Sequence, residues 1–306
     1  MKVLVTGGAG FIGSHVVDAL IEEGHQVLVV DNLSTGKKEH LNPEATFYQL
    51  DIRSPELEDV FRREKPDLVN HHAAHVNVRH SVDDPRHDAE VNIAGSLNLL
   101  ECARRHGVRN FVYASSGGAI YGEPEYLPCD EKHPLNPLCP YGVSKLTVES
   151  YLFVYGHTYG LRYVILRYPN VYGPRQDPTG EGGVAAIFSR QMIRGEGVVI
   201  NGSGEQERDF VYVDDIVRAN LLAQDLLHGQ IYNLGTGVGT SINDLFTLMA
   251  GMTGYDAEPT YAPPKTGETF KIYLDASKAR VELGWQAEIG LHDGLRRTIQ
   301  SHQSPA

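Results

Sequence analysis

The chain has 306 residues, 41% hydrophobic and 22% charged, with a net charge of −12. That acidity argues against nucleic acid as the main partner, because phosphate backbones recruit an excess of Lys and Arg. Its three cysteines, with no CxxC pair, argue against a disulfide framework or a cysteine-rich zinc site, and no run reaches the roughly 18 apolar residues of a membrane span.

The first run, "KVLVT" (2–6), leads into "GGAGFIGSH". Gly7, Gly10 and Gly13 are spaced GxxGxxG between a strand and a helix expected at 11–23. That spacing lets the chain turn sharply, brings backbone up to a pyrophosphate and packs the helix closely on the sheet. The helix N-terminus then offers N–H groups and a positive dipole end to the anion. The second run, "QVLVV" (26–30), ends at Asp31. A carboxylate there accepts from an adenosine ribose and favours NAD over its 2′-phosphorylated form. After "TFYQL" (46–50) comes Asp51, placed for the adenine.

Strands follow at 67–71, 110–115 and 163–168, separated by helices near 54–64, 87–106 and 141–159. Alternating strands and helices imply right-handed βαβ units and a parallel sheet. Continuous apolar strands fit a sheet covered on both faces. Past residue 170 the pattern loosens. Helices are expected at 184–194, 214–227, 242–252 and 291–301, among short strands at 198–200, 209–213 and 230–233. This divides the chain into a domain over 1–170 and a smaller lobe over 171–306, with some segments crossing between them.

"PYGVSK" opens the helix after Pro140 and sets Tyr141 and Lys145 four apart, on one face. A free tyrosine, with a pKa of about 10, is a poor base at neutral pH. A neighbouring ammonium favours the phenolate and lowers that value.

These features occur together with Asn92 in "VNIAGSLNLLE", the serines of "ASSGGAIYG" (114–122), "LRYPNVYGPRQDP" and "RDFVYVDDIVRA". The chain resembles the extended short-chain dehydrogenase/reductase family, in particular its nucleotide-sugar epimerases, from residue 1 to about 300. The resemblance implies a Rossmann-like doubly wound parallel sheet with a C-terminal α/β substrate lobe. It implies NAD-dependent inversion at C4 of a nucleotide sugar, UDP-glucose and UDP-galactose first, with UDP-N-acetylhexosamines or UDP-uronates as the alternatives. A third alternative is a non-catalytic NAD sensor, against which the retained Tyr141 and Lys145 speak. It also implies a homodimer formed through the fourth helix and the Tyr–Lys helix. The N-terminus, without the apolar stretch of a secretory signal, adds the expectation of a cytoplasmic protein.

By the same resemblance the cofactor meets Gly7, Gly10, Phe11, Ile12 and Gly13 at the turn, Asp31 and Asn32 after the second strand, and Asp51 and Ile52 after the third. Ala73, Ala74, Asn92, Ser115, Tyr141, Lys145 and Tyr168 complete that set. Tyr141, Lys145 and Ser116 are the expected catalytic group. Counting back from Tyr121-Gly122, the family's usual hydroxyl position falls on Gly117, one past Ser116. The expectation is therefore that Ser116 contacts the sugar and that Gly117 leaves it room to turn. The substrate is further assigned to Asn170, to Val199, Ile200 and Asn201 beside the uracil, and to Arg208 at the diphosphate. Lys265 and Glu268 stand where the family usually has Arg and Asp. Related dehydratases carry an Asp-Glu pair just before the tyrosine that matches Tyr121; here Gly118-Ala119-Ile120 offers no acid.

"HHAAHVNVRH" offers His71, His72, His75 and His80, but side chains diverge at a strand end, and no metal is expected. In "VDD" (213–215) an aspartate is expected to cap the following helix rather than bind metal.

Overall fold

The structure is a computed structural model, and it describes residues 1–179 and 183–303. Strands β1 (Lys2–Thr6), β2 (Gln26–Asp31), β3 (Thr46–Gln49), β4 (Leu68–His71), β5 (Asn110–Ser116) and β6 (Arg162–Tyr168) form most of one parallel sheet. Helical chain links them: α1 (Phe11–Glu22) joins β1 to its neighbour β2, α2 (Leu57–Glu64) carries the chain from the edge strand β3 back to β4 on the far side of β1, α3 (Val78–Asp83), α4 (Pro85–Ala89) and α5 (Gly95–Arg105) join β4 to β5, and α6 (Gly117–Ile120) and α7 (Pro140–Tyr159) join β5 to β6.

Alternation along the strands divides the core into two layers. Val3, Val5, Val27 and Val29 face Val16, Val17 and Leu20 of α1. Leu4, Leu28 and Val30 face the other way, onto Val60 and Phe61 of α2, Leu99 of α5 and Leu152 of α7. Because both faces are covered, the strands read as unbroken apolar runs. Each buried Val or Leu contributes about 1.5–3 kcal/mol relative to exposure.

The C-terminal third runs β7 (Asn170–Tyr172), α8 (Val184–Ile193), β8 (Val199–Asn201), β9 (Glu207–Arg208), β10 (Phe210–Tyr212), α9 (Val213–Ala223), β11 (Gln230–Asn233), β12 (Thr240–Ser241), α10 (Ile242–Thr253), β13 (Thr260–Ala262), β14 (Lys271–Ile272) and α11 (Leu291–Gln303). Strand β11 pairs parallel with β6 and completes a seven-stranded sheet of order β11-β6-β5-β4-β1-β2-β3. Helix α9 shares the core of α1 through Ile216, Ala219 and Ala223. The remaining short strands pair locally, and Phe188, Met192, Leu245, Met249, Leu295 and Ile299 pack α8, α10 and α11 into a separate cluster.

The single helix expected at 87–106 is α4, a π-helical turn over Glu90–Ala94, and α5 in succession. The wider turn carries Asn92, whose side chain grips the chain that follows β4. Single π turns of this kind recur at functional sites.

Candidate active site

The β1–α1 turn is built from backbone packed on backbone. Gly7 has φ +70°, its N–H donates to Val30 O at 2.9 Å, and a Cβ there would stand 2.7 Å from Ala73 N. A Cβ on Gly13 would stand 2.2 Å from Gly7 O. Only glycine allows that approach, and it seats the start of α1 under the loop. Gly10 precedes α1 without a side-chain cap, so the backbone N–H groups of the first turn are left for an anion. Phe11 and Ile12 turn their side chains into the apolar clusters and bring only backbone to this surface.

Asp31 is buried at the end of β2. Its Oδ2 accepts from Ala9 N at 3.0 Å and its Oδ1 from Leu33 N at 2.8 Å, which fixes the carboxylate beside the glycine turn with lone pairs left over. The cradle and the carboxylate fit a dinucleotide whose ribose diol is unphosphorylated, because a 2′-phosphate would meet a buried negative charge. Asn32 donates to Asp51 Oδ2 at 2.9 Å, and Arg53 holds both Asp51 oxygens. The Arg53 guanidinium keeps the Asp51 carboxyl well below its ordinary range. The Ile52 side chain belongs to the core and its carbonyl accepts from Asn98, which leaves its backbone N–H as the group it could offer a cofactor.

Two more of the expected cofactor residues are bound to protein side chains and backbone. Asn92 spends its amide on protein, donating to His75 O and Asp88 Oδ1 at 2.9 Å each and accepting from His75 N at 2.8 Å. It shapes the loop carrying Ala73 and Ala74, where Ala73 N–H also donates to Thr6 Oγ1 at 3.2 Å. Ser115 donates to Glu149 Oε1 at 2.5 Å, on the buried side of β5. Its hydroxyl is turned away from the site because neighbours on a strand point to opposite faces. Tyr168, at the end of β6, accepts from Asn220 at 2.7 Å with its ring tilted against His72.

The reacting group assembles at the ends of β5 and α7. Pro140 occupies the first position of α7, suited by its fixed φ and missing N–H. One residue on comes Tyr141, whose side chain lies beside that of Ser116. Burial pushes the Tyr141 phenol well up from its ordinary value, and the nearby Ser116 hydroxyl is the main influence pulling it down. Lys145 lies over the Tyr141 ring. Its Nζ is 5.9 Å from the ring centre and donates to Ala114 O at 2.7 Å. Burial brings the Lys145 ammonium down to about 8, opposed by the charges of Asp88 and Glu149.

Gly117 differs from expectation most clearly. It begins α6, and a Cβ there would stand 2.4 Å from Leu274 Cδ1, in an apolar cluster. It faces core rather than substrate. Gly118 is the open position: a Cβ there would lie 3.7 Å from Asn170 Oδ1 and 4.0 Å from Ser116 Oγ. Ser116, Gly118, Tyr141 and Asn170 therefore border one space. The strand alternation ends where α6 starts, and this moves the open glycine by one residue.

On the lobe side, Arg208 is largely buried, donates to Glu207 O at 2.9 Å and stands 3.7 Å from Glu268. Glu268 also faces Arg79 at 3.7 Å. Lys265 precedes the tight turn at Gly267, which has φ +85°. Val199 is exposed on β8, and Asn201 O accepts from Gln206. The Ile200 side chain is buried in the lobe core, so only its backbone can meet a ligand. The cap expected from "VDD" is also absent: α9 follows Tyr212 without a side-chain cap, and Asp215 accepts instead from Glu288 N and Ile289 N.

Three buried polar residues were missed in the sequence. Glu149 binds Arg167 through Nε at 3.1 Å and Nη2 at 2.6 Å, and Arg167 Nη1 donates to Tyr121 OH at 2.8 Å. Glu149 lies one turn beyond Lys145, so carrying the face argument for Tyr141 and Lys145 one turn further would have reached it. Asp88 sits in a charged run that reads as solvated surface.

The NAD dependent epimerase/dehydratase family matches residues 3–235, and the chain belongs to it. Within that family the chain is an NAD-dependent nucleotide-sugar 4-epimerase. It is 43% identical to the UDP-glucose 4-epimerase of Mycolicibacterium smegmatis, over 98% of each chain. Two solved structures are closely similar. The UDP-glucose 4-epimerase of Thermotoga maritima with UDP-glucose is 51% identical at TM-score 0.98, over 99% of each chain. The UDP-glucose 4-epimerase of Thermus thermophilus in complex with NAD is 44% identical at TM-score 0.95, over 100% of each chain.

Proposed function

We propose that the chain interconverts UDP-glucose and UDP-galactose, with Tyr141 as the acid–base group. The observation that carries this is the space at the end of β5 bordered by Ser116 and Asn170, with Tyr141 beside Ser116 and Lys145 buried one turn further along α7. NAD, when bound, accepts a hydride from the sugar C4 and returns it. Everything else falls to the protein. Tyr141 takes the proton of the C4 hydroxyl and gives it back, with Ser116 orienting the two oxygens. Gly7, Gly10, Gly13 and Asp31 hold the dinucleotide, and Lys145 sets the charge beside it. The absence of an acid at 118–120 leaves the oxidised sugar no proton donor for elimination, so reduction is its simplest fate.

The UDP is assigned to Arg208, Asn170, the β8 backbone and the Lys265–Glu268 turn. Inversion needs the nucleotide anchored while the sugar turns, and the small border at Gly118 suits that. We read the enzyme as a cytoplasmic homodimer. Helix α7 leaves Val143, Phe153 and Val154 about half exposed or more, an apolar face that a second copy would cover. The free, buried cysteines Cys102, Cys129 and Cys139 suit a reducing compartment.

Tyr141→Phe tests the reading. Turnover of UDP-galactose should fall by roughly 100-fold or more, the usual worth of a general acid–base group, while NAD and UDP still bind. Near-normal turnover would remove Tyr141 from the mechanism.

A further inference from the structure

Asp88 is completely buried on α4, and its carboxylate joins three segments of chain. Oδ2 accepts from Ser144 Oγ at 2.5 Å, on the turn of α7 between Tyr141 and Lys145. Oδ1 accepts from Asn92 in the π turn at 2.9 Å and faces His75 Nδ1 at 3.7 Å. A buried carboxylate is costly unless hydrogen-bonded and matched by charge. A residue needed only to pack α4 against α7 would be apolar.

We propose that Asp88 is a positioning residue of the epimerase site: its carboxylate is the counter-charge of Lys145 and, through Ser144, it fixes the turn of α7 that carries the Tyr–Lys pair. This rests on the reading of Tyr141 and Lys145 as the working pair. Of the charges acting on Lys145, Asp88 is the largest that favours the ammonium against burial, with Glu149 second. The same negative charge opposes ionisation of Tyr141, Cys139 and Tyr113, which also face it. It also faces His75, whose ring meets those of His80 and His87 edge-on. Burial first, then the charge of His80, hold His75 below its ordinary value, so it is neutral where Lys145 titrates. Asp88 thus keeps the lysine charged while keeping the tyrosine protonated until substrate demands its proton.

The sign follows directly. Removing a negative charge beside an ammonium makes the proton easier to lose, so Lys145 should titrate at lower pH. In the NAD-loaded enzyme labelled with 13C at lysine Cε, the Lys145 resonance is the one lost in Lys145→Arg. In Asp88→Asn its midpoint should fall by roughly one unit, the scale of a single nearby charge. The alkaline limb of kcat should move with it. Ser144→Ala removes the hydrogen bond but keeps the charge, and should move the midpoint by less than about half as much. Should Asp88→Asn not fold, Asp88→Ser carries the same expectation. An unchanged Lys145 midpoint in the neutral variant overturns the proposal. If Tyr141→Phe stays active while the midpoint still shifts, the functional reading fails and the charge relation stands.

Discussion

Two glycine-rich turns follow strands β1 and β5 of the one sheet, and they obey different rules. In the β1–α1 turn the close approaches are backbone to backbone: Gly13 against Gly7 O, and Gly7 against Ala73 N. The Gly13 distance follows from how a strand, a turn and a helix join and is a local property, while Gly7 also meets the loop that follows β4. At the end of β5 the approach that excludes a side chain at Gly117 comes from Leu274, more than a hundred residues away. Gly118, its neighbour, meets nothing closer than 3.7 Å. The helix start at Gly13 is fixed by its own stretch of chain, and the end of β5 by what the rest of the protein packs against it.

The strongest way to break that comparison is to remove the distant support. Ser115 hangs on the Glu149–Arg167 pair, both residues buried and both bound to it or to each other. Arg167→Met strands the Glu149 charge and should cost about 3–5 kcal/mol in denaturant unfolding, the range for breaking one side of a buried pair. Arg167→Met with Glu149→Gln should recover much of the loss. A cost under about 1 kcal/mol for the single change would mean that the strand end is not held by buried charge.

Gly13→Ala tests the local turn. The nearest atom is a carbonyl oxygen at 2.2 Å, which cannot rotate away, so α1 must lift from the loop. A destabilisation of about 1–3 kcal/mol is expected from overpacking, together with loss of NAD from the purified protein, read by its absorbance after release. Retention of NAD at full occupancy would show that the turn has more give than its backbone contacts imply.

How far the sequence could be read follows the same division. The parallel strands, the glycine turn and Asp31 were legible because each is written within a few consecutive residues. The face shared by Tyr141 and Lys145 was legible because a helix repeats. What escaped depends on partners remote in the chain. Residues 230–233 read as a short strand near the lobe, but their place is beside β6 in the main sheet. Asp88, within "DDPRHDAE", carries no local sign that α7 will cover it. Burial, which no local pattern shows, is the largest influence on the Tyr141 phenol and was not legible either.

The smallest expected effects come from the two neighbouring glycines at the end of β5, and they sharpen the comparison most. Gly117→Ser drives its Cβ into Leu274 Cδ1 at 2.4 Å. That atom is the end of a side chain, so the cluster can adjust, at about 1 kcal/mol. The new hydroxyl would point into the core around Ile120 and Ile272, and should not rescue the turnover lost in Ser116→Ala. Gly118→Ala adds a methyl at ordinary contact distance from Asn170 Oδ1 and Ser116 Oγ, and should change stability by less than about 0.5 kcal/mol, as surface substitutions do. Its effect belongs to the sugar, since the methyl narrows the space bordered by Ser116, Tyr141 and Asn170. With NAD and UDP affinities unchanged, Gly118→Ala should lower kcat for UDP-galactose, while Gly117→Ala should leave kcat alone and lower only the melting temperature. If Gly117→Ser restores turnover to Ser116→Ala, or if Gly118→Ala is silent in kcat, the open glycine is the first of the pair and the strand has kept its alternation one residue further than the structure shows.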